Sequence, residues 1–347
     1  MRDRRYNFWS KNVVSIKSIP RMLSVNFELT YRCPLHCLHC YSDCYNSEGA
    51  VEHELETSEV KTVLDKIYNA GCLWLTFTGG DPLMRNDFIE IYRYAQHKGF
   101  IISVMTSLNV LNEEILNMFT RYRPFYISTS LNAVTEKLYN SICQAGGTYE
   151  KTMYNIKKIL NSKIHLKTQT VLAAFNFHEL RQIEAFCRSK EIEFRPNALI
   201  FARLNGDFKP CRYRLPISVV LKEKVEFKNN CAIFNSRKLF KCDIASYEWV
   251  INPSGYLASC TCVREPSFNL LDSNINEAVR NISSYLKSRI FLSKSKCKNC
   301  QVWMYCHSCP GMAKLECNDW EAPISYYCDL AWQKAADRLT ISNNVAL

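Results

Sequence analysis

Long apolar runs are missing from this sequence of 347 residues, which argues against a membrane-spanning protein. No stretch approaches the roughly 20 consecutive apolar residues that a transmembrane helix requires. The basic beginning, MRDRRYNFWSKNVVSIKSIP, has no apolar segment of the kind found in signal peptides. We therefore expect a cytoplasmic chain that does not associate with a membrane.

Consecutive runs of one charge, internal repeats and low-complexity tracts are also missing. The sequence holds 44 Lys and Arg against 33 Asp and Glu, a formal net charge of +11, but no single Lys/Arg-rich block stands out. Proteins that bind nucleic acid usually concentrate their basic residues in such a block. We expect no nucleic-acid partner, and the basic excess indicates either acidic protein partners or a lysine-rich surface that aids solubility.

Cysteine, by contrast, is abundant, with 18 residues. Small secreted proteins use many cysteines as disulfides, but a chain this long with 47% hydrophobic residues can bury a core without them. In the reducing cytoplasm, clustered cysteines bind metal more often than each other. The cysteines therefore predict metal sites.

Six β-rich runs alternate with segments of helical periodicity in the first two thirds of the sequence. The predicted strands are 24–29, 73–78, 101–106, 125–131, 164–172 and 192–200. A strand-then-helix repeat predicts parallel strands, and six units are too few for a closed eight-stranded barrel. We expect an α/β fold with an open, partial (β/α)6 barrel and an active site at the carboxyl ends of its strands.

Composition divides the chain into four parts. We predict an N-terminal extension (1–23), the partial barrel (24–205), a linker (206–240), and a small cysteine-rich domain with a C-terminal helix (241–347). The run VINPSGYLASC in the last part has the pattern of two strands joined by a turn at Pro253-Ser254-Gly255.

The first cysteine group, RCPLHCLHCYSDC, directly follows the first predicted strand. Cys33, Cys37 and Cys40 are spaced C-x3-C-x2-C, whereas a structural zinc site usually takes four ligands from two C-x2-C pairs. Three thiolates leave one iron of a cubane [4Fe–4S] cluster open to a small molecule. A zinc loop is the alternative, and Cys44 is expected to be a bystander.

The segment CPLHCLHCY resembles the C-x3-C-x-φ-C signature of radical S-adenosylmethionine (SAM) enzymes, with His39 as the ring residue. The resemblance implies that Cys33, Cys37 and Cys40 bind the cluster. It also implies that the open iron binds the amino and carboxylate groups of SAM. One electron then cleaves SAM to a 5′-deoxyadenosyl radical, which abstracts hydrogen from the substrate.

Other positions match SAM-binding motifs of the same family. TGGDP (78–82) is similar to the Gly-Gly-Glu motif that holds the SAM amine, with Asp81 in place of the glutamate after Gly79 and Gly80. Ser130 matches the position that hydrogen-bonds the ribose. Lys167 is a candidate for the SAM carboxylate, or else an ordinary surface lysine.

The second cysteine group resembles the SPASM extension of radical SAM proteins, which carries auxiliary clusters. The resemblance implies one [4Fe–4S] cluster on Cys297, Cys300, Cys306 and Cys328, and a second on Cys242, Cys260 and Cys309. Cys306 and Cys309 are separated by two residues, where the family usually has three. The fourth ligand of the second cluster stays open between Cys231, Cys262, the less favoured Cys211, and none. A zinc-ribbon-like module is the alternative for the whole group.

The closing run CPGMAKLECNDWEAPISYYCDLA resembles SPASM domains of peptide-modifying enzymes. The resemblance implies maturation of a ribosomally made peptide, by a thioether, another cross-link or related hydrogen abstraction. We also expect a flavodoxin or ferredoxin as electron donor. Because only about 24 residues precede the first strand, a separate leader-peptide recognition protein is expected as well.

Two other functions stay open. One is a radical SAM oxidoreductase that oxidises a Ser or Cys side chain or a small-molecule alcohol. Thr261 disfavours the sulfatase-maturing form of it, because those relatives have a general-base aspartate at this position and a threonine hydroxyl is no base near neutral pH. The other is a zinc-stabilised scaffold without catalytic activity. The remaining cysteines, Cys72, Cys143, Cys187 and Cys317, are expected to be core or incidental thiols.

Overall fold

The structure is a computed structural model that describes residues 20–47, 49, 53–223, 225, 238–240, 242–292 and 294–344, with backbone alone for 338–344. Cys231 lies outside the described residues, as do most of the predicted N-terminal extension and part of the predicted linker. In the described part of the chain, no helix is both long and apolar enough to cross a bilayer.

Within the residues described, nine strands form a single sheet. They are β1 (Ser24–Thr30), β2 (Trp74–Gly79), β3 (Ile101–Met105), β4 (Tyr126–Ser130), β5 (Leu166–Val171), β6 (Glu193–Asn197), β7 (Glu248–Ile251), β8 (Tyr256–Ala258) and β9 (Phe268–Asn269). The order across the sheet is β6-β5-β4-β3-β2-β1-β7-β8-β9. Strands β1 to β6 are parallel neighbours in chain order, which confirms the predicted α/β fold with its six parallel strands.

The helices cross between these strands or follow them. They are α1 (Thr57–Asn69), α2 (Phe88–Lys98), α3 (Glu113–Arg121), α4 (Glu136–Cys143), α5 (Thr148–Asn161), α6 (Leu180–Ser189), α7 (Ile217–Lys222), α8 (Ile275–Ser288), α9 (Pro310–Cys317) and α10 (Ser325–Asn344). Short 3₁₀ turns occupy Asp43–Tyr45, Pro82–Met84, Phe177–Glu179, Lys209–Tyr213 and Trp303–Tyr305. Helix α4 was not predicted from the sequence.

Strand β7 extends the barrel sheet on its open side. Residues Ser24 to Phe27 of β1 pair in parallel with Glu248 to Ile251 of β7, and β8 and β9 continue antiparallel from there. The turn expected within VINPSGYLASC is the β7–β8 turn. Trp249 on β7 is fully buried in the same core as Phe27 on β1. The strands of the two predicted domains therefore share one sheet and one core.

The core comes from the apolar faces that the sequence periodicity indicates. Helix α1 buries Val60, Val63, Leu64 and Ile67, a spacing of three and four residues that places them on one side. Strand β2 adds Phe77, which is fully buried against the helices. Since all six barrel strands run in the same direction, their carboxyl ends meet at one edge, where the first cysteine loop begins.

Candidate functional site

The first cysteine group lies on the loop that follows β1. Asn46 closes this loop, because its Oδ1 accepts a hydrogen bond from the amide of Cys33 (2.8 Å) and its Nδ2 donates one to the carbonyl oxygen of Leu35 (2.9 Å). The amide of Cys40 donates to the carbonyl oxygen of Cys37 (2.9 Å) in a tight turn. The structure thus places the three predicted ligands on one short loop held by hydrogen bonds.

The carboxyl end of α4 supports the same loop. The amide of His36 donates to the carbonyl oxygen of Cys143 (3.0 Å), and the amide of Leu38 donates to that of Ile142 (3.0 Å). The buried thiol of Cys143 is also hydrogen-bonded to the thiol of Cys37. The sequence indicated Cys143 only as a core or incidental thiol, and this contact with the loop has no sequence motif.

The three thiols of the loop need a cation before they ionise. Burial raises the pKa of Cys33 and Cys40, and the nearby Asp81 carboxylate raises that of Cys33 further. The hydrogen bond to Cys143, together with burial, raises the pKa of Cys37. Metal binding at such a site releases protons and balances the thiolate charge. The donor set therefore fits a cluster with three protein ligands.

His39 lies within this loop as a neutral ring. Its Nδ1 atom is buried and has no hydrogen-bond partner in the described part of the chain, and burial lowers the pKa of the imidazole to about 4. The ring packs beside Phe175, with 6.0 Å between ring centroids. An unpartnered buried nitrogen next to three thiols leaves a polar atom available to a bound group.

The glycine pair after β2 fits against the backbone that leads into the cysteine loop. The amide of Gly80 donates to the carbonyl oxygen of Thr30 (2.8 Å), and Gly79 has a φ of +123°. A Cβ on Gly80 would lie 2.4 Å from the carbonyl oxygen of Tyr31 and 2.5 Å from that of Arg32. The two glycines therefore allow close contact between this turn and the protein's own backbone.

Replacing Gly80 with alanine is expected to lower the free energy of unfolding by about 2–3 kcal/mol, because two backbone oxygens would have to move away from the new Cβ. Urea denaturation measures the change. Gly146→Ala is the matched control, since nothing lies within 4 Å of its added Cβ. Equal stability of the two variants would contradict the close packing at Gly80.

Asp81 is fully buried at the edge between β2 and β3. Its carboxylate accepts hydrogen bonds from the amide of Leu83 (3.1 Å), the hydroxyl of Thr106 (3.0 Å), and both the amide (2.9 Å) and the hydroxyl (2.6 Å) of Ser107. Burial raises its pKa, although these hydrogen bonds act in the opposite direction. In the structure the carboxylate ties the ends of the two strands together beside Cys33.

Ser130 and Lys167 lie at different ends of the sheet. Ser130 is exposed at the carboxyl end of β4, the same edge as the cysteine loop. Lys167 is the second residue of β5, and its Nζ lies 3.3 Å from a carboxylate oxygen of Glu193 and 4.0 Å from the ring centroid of Tyr126. Glu193 and Tyr126 are the first residues of their strands, so these contacts favour the reading of Lys167 as an ordinary ion-paired lysine.

Five cysteines of the second group line one cavity in the C-terminal part of the chain, and three tryptophans line it with them. The cysteines are Cys297, Cys300, Cys306, Cys309 and Cys328, and the tryptophans are Trp303, Trp320 and Trp332. Among the described residues, no three His, Cys, Asp or Glu side chains converge as the ligands of a single metal ion do. Ligands of a cubane bind separate irons and surround a volume rather than a point.

Cys309 is shared between this cavity and a second set of thiols. A tight turn, in which the amide of Val263 donates to the carbonyl oxygen of Cys260 (3.1 Å), brings Cys260 close to Cys262. A hydrogen bond from Cys262 lowers the pKa of Cys260 to about 7, and the charge of Cys309 acts on Cys262. The thiols of these three residues therefore lie near one another. Cys262 therefore lies near two of the three residues that the resemblance implies for this cluster.

A buried ion pair connects that turn to β1. Glu28 on β1 is 1% exposed, and its two carboxylate oxygens accept hydrogen bonds from the guanidinium of Arg264 (2.8 and 2.9 Å). The hydroxyl of Tyr31 donates to the same carboxylate (2.8 Å), and that of Tyr41 lies 3.4 Å from it. Burial and the Glu28 charge raise the pKa of both phenols. The sequence analysis did not predict this network. The signal for it in the sequence was Glu28, a charged residue inside an apolar strand.

Comparison with known proteins agrees with this geometry. The profile of the Radical SAM superfamily matches residues 27–187, from β1 through α6. This region is a radical SAM domain. The family implies a [4Fe–4S] cluster and SAM. The loop of Cys33, Cys37 and Cys40 follows the first strand of the matched region.

Two curated relatives match this chain over less than half of their own length. AdoMet-dependent heme synthase of Methanosarcina barkeri is 26% identical over 168 residues, 48% of this chain and 47% of the relative. PqqA peptide cyclase of Bradyrhizobium diazoefficiens is 28% identical over 161 residues, 46% of this chain and 42% of the relative.

A solved structure is similar to nearly the whole chain. The crystal structure of Streptococcus suis SuiB bound to its precursor peptide SuiA superposes with a TM-score of 0.66 over 92% of this chain and 77% of SuiB, at 13% sequence identity. The likeness therefore extends past the radical SAM domain into the cysteine-rich C-terminal part. At this identity the comparison concerns the fold.

Proposed function

We propose that this chain modifies a ribosomally synthesised peptide by radical chemistry, forming a thioether, another cross-link or a related product of hydrogen abstraction. The observation that carries the proposal is the pairing of a radical SAM domain with a C-terminal cavity lined by five cysteines. The similarity to a peptide cyclase and the fold shared with a peptide-bound structure support the choice of a peptide as substrate.

Different residues of the radical SAM domain bind the cluster and SAM. Cys33, Cys37 and Cys40 bind three irons, and the fourth iron is left for the amino and carboxylate groups of SAM. Cluster and SAM, when bound, supply a 5′-deoxyadenosyl radical that removes a hydrogen atom from the substrate. His39 lies beside the cluster with its free Nδ1, and the exposed hydroxyl of Ser130 at the same edge is available to the ribose.

Two auxiliary [4Fe–4S] clusters complete the proposal. Cys297, Cys300, Cys306 and Cys328 bind one of them inside the cavity that they line. Cys242, Cys260 and Cys309 bind the other, and Cys262 is its fourth ligand because it contacts Cys260 and lies near Cys309. With four protein thiolates this second cluster would have no open iron, and it would supply electron transfer rather than substrate binding.

The proposal also includes the domain bounds, the protein partners and the compartment. Residues 24–205 act as the radical SAM domain and 241–347 as the SPASM domain, with 206–240 between them and residues 1–23 as an extension. A flavodoxin or ferredoxin reduces the clusters, and a separate protein recognises the leader peptide. The modification takes place in the cytoplasm, where the precursor peptide is made.

Mass spectrometry of a short peptide encoded near this gene tests the proposed function. We expect the reconstituted, reduced enzyme with SAM to lower the mass of that peptide by the hydrogen atoms lost in a cross-link, with 5′-deoxyadenosine as co-product. The Cys37→Ala variant is the control and is expected to leave the peptide unchanged. An aldehyde product, or no change in any neighbouring peptide, would contradict peptide cross-linking.

A further inference from the structure

A stretch of the chain with basic but no acidic residues includes cysteines of the C-terminal cavity. Residues 278–315 contain seven of the basic residues and no Asp or Glu, although no block of consecutive basic residues occurs there. The seven are Arg280, Lys287, Arg289, Lys294, Lys296, Lys298 and Lys314. Four cavity cysteines, Cys297 to Cys309, belong to the same stretch. This part of the surface therefore has a positive potential next to the cavity.

Three of the lysines stand on the outside of the segment whose cysteines face the cavity. Lys294, Lys296 and Lys298 are exposed, and Cys297 between them lines the cavity. Turns shape the segment, since the amide of Lys298 donates to the carbonyl oxygen of Ser295 (3.3 Å) and that of Cys300 to the carbonyl oxygen of Cys297 (3.4 Å). Exposed lysines therefore alternate along the chain with a residue that lines the cavity.

Large apolar side chains are exposed on the same part of the chain. Leu292 is 69% exposed, Ile290 61%, Trp332 54% and Met304 52%. Trp332 lines the cavity, and Phe291 and Trp303, the neighbours of Leu292 and Met304, line it as well. An exposed apolar patch with a charged rim is typical of a protein interaction site. We call these four side chains together with Lys294, Lys296 and Lys298 the basic rim.

The acidic residues around the basic rim do not neutralise its three lysines. Glu321 lines the cavity, and its carboxylate accepts hydrogen bonds from the amide of Leu292 (3.0 and 3.2 Å). Asp243 attracts Lys287, which lies outside the rim. Asp329 and Asp337 lie on α10, and in the described part of the chain neither forms an ion pair with a rim lysine. A partner that complements this surface carries negative charge around an apolar centre.

We propose that the basic rim docks an acidic one-electron carrier, a reduced flavin or iron–sulfur protein, over the cluster held by Cys297, Cys300, Cys306 and Cys328. The inference rests on the proposed function, because that cluster belongs to it. One electron leaves the carrier and enters the cluster, and no bond or proton is exchanged. The thiol-lined cavity beneath the rim favours a redox partner over a nucleic acid or an acidic leader peptide. A cluster held by these thiols can exchange electrons with a redox partner, whereas a nucleic acid or a leader peptide exchanges none.

A charge-reversal variant tests the docking site. The variant is Lys294→Glu, Lys296→Glu and Lys298→Glu in one chain, and the probe is a fluorescently labelled acidic flavodoxin titrated into the anaerobic holoenzyme. We expect the Kd to rise by about tenfold or more at low salt, and the affinity of the wild-type chain to fall with ionic strength. The matched control reverses three exposed lysines of the barrel, Lys151, Lys157 and Lys190, and is expected to keep the wild-type Kd.

Three further measurements decide between the outcomes. Iron content and the rate of cluster reduction by dithionite are expected to be unchanged in the variant, because a small reductant needs no docking surface. If the variant loses iron, Leu292→Ser replaces it as an uncharged test of the same surface and is expected to weaken flavodoxin binding. Equal Kd values for the rim variant, the barrel control and the wild type would overturn the proposal.

The same binding experiments can identify an alternative partner. Tighter binding of a short single-stranded RNA than of flavodoxin, lost in the rim variant, would overturn the proposal in favour of a nucleic-acid surface. Loss of precursor-peptide binding in the rim variant, with flavodoxin binding unchanged, would assign the surface to the peptide. Peptide modification driven by dithionite tests the proposed function separately, so a failure of docking and a failure of peptide chemistry give different results.

Discussion

Changing Cys33, Cys37 and Cys40 together to alanine is expected to abolish SAM cleavage and to remove about four irons per chain, the content of one cubane. These thiols share one loop after β1 and are the proposed ligands of the first cluster, so without them the loop holds no iron to which SAM could bind. Iron analysis, the electron paramagnetic resonance signal with and without SAM, and the yield of 5′-deoxyadenosine measure the effect.

Two cysteine variants serve as controls for this experiment. Cys317→Ala removes an exposed thiol outside both ligand groups and is expected to keep all iron and all SAM cleavage. Cys297→Ala is expected to keep SAM binding at the first cluster, while lowering the iron content of the C-terminal part. SAM cleavage that survived in the triple variant would refute the assignment of the first loop.

Replacing Arg264 with methionine is expected to lower the free energy of unfolding by about 3–5 kcal/mol, because it leaves the carboxylate of Glu28 buried without its charge partner. The hydroxyls of Tyr31 and Tyr41 cannot replace a bidentate guanidinium. Urea denaturation of the anaerobic protein measures the loss. We also expect altered auxiliary-cluster spectra, since Arg264 follows the turn that carries Cys260 and Cys262.

A second substitution separates the buried charge from other effects of losing Arg264. The double variant Arg264→Met with Glu28→Gln is expected to regain part of the lost stability, because no uncompensated charge is left inside. Arg195→Met, which breaks an exposed pair with Glu193, is the surface control and is expected to change stability by less than about 1 kcal/mol. Equal losses for Arg264→Met and Arg195→Met would show that the buried pair contributes no more than a surface one.

The barrel strands could be predicted because each one is a short β-rich run, mostly β-branched or aromatic, between turn residues. Helix α4 escaped prediction, since its eight residues, EKLYNSIC, bury only Tyr139, Ile142 and Cys143 and give little periodicity. The pairing of β7 with β1 could not be predicted either. It joins residues more than 200 positions apart, and local pattern has no information on such a contact.

The spacing of Cys33, Cys37 and Cys40 was enough to propose a cluster loop, but the groups that hold the loop could not be predicted. Asn46 has no motif, and the carbonyl of Cys143 reaches the loop only through the tertiary fold. Asp81 was expected at the SAM amine from a three-residue match, whereas its partners in the structure include Thr106 and Ser107, directly after the next strand. A motif identifies the residue type that a site needs, and the side-chain partners depend on packing.

The hydrogen bonds between β1 and β7 set a limit on how this chain can be divided. Two polypeptides ending and beginning between residues 206 and 240 would each expose an unpaired strand edge, that of β1 in one and of β7 in the other, and open parallel edges of this kind aggregate. Neither fragment would keep Glu28 and Arg264 on the same molecule. Both halves must therefore be synthesised as one chain, or brought back together by strand complementation, before either can mature.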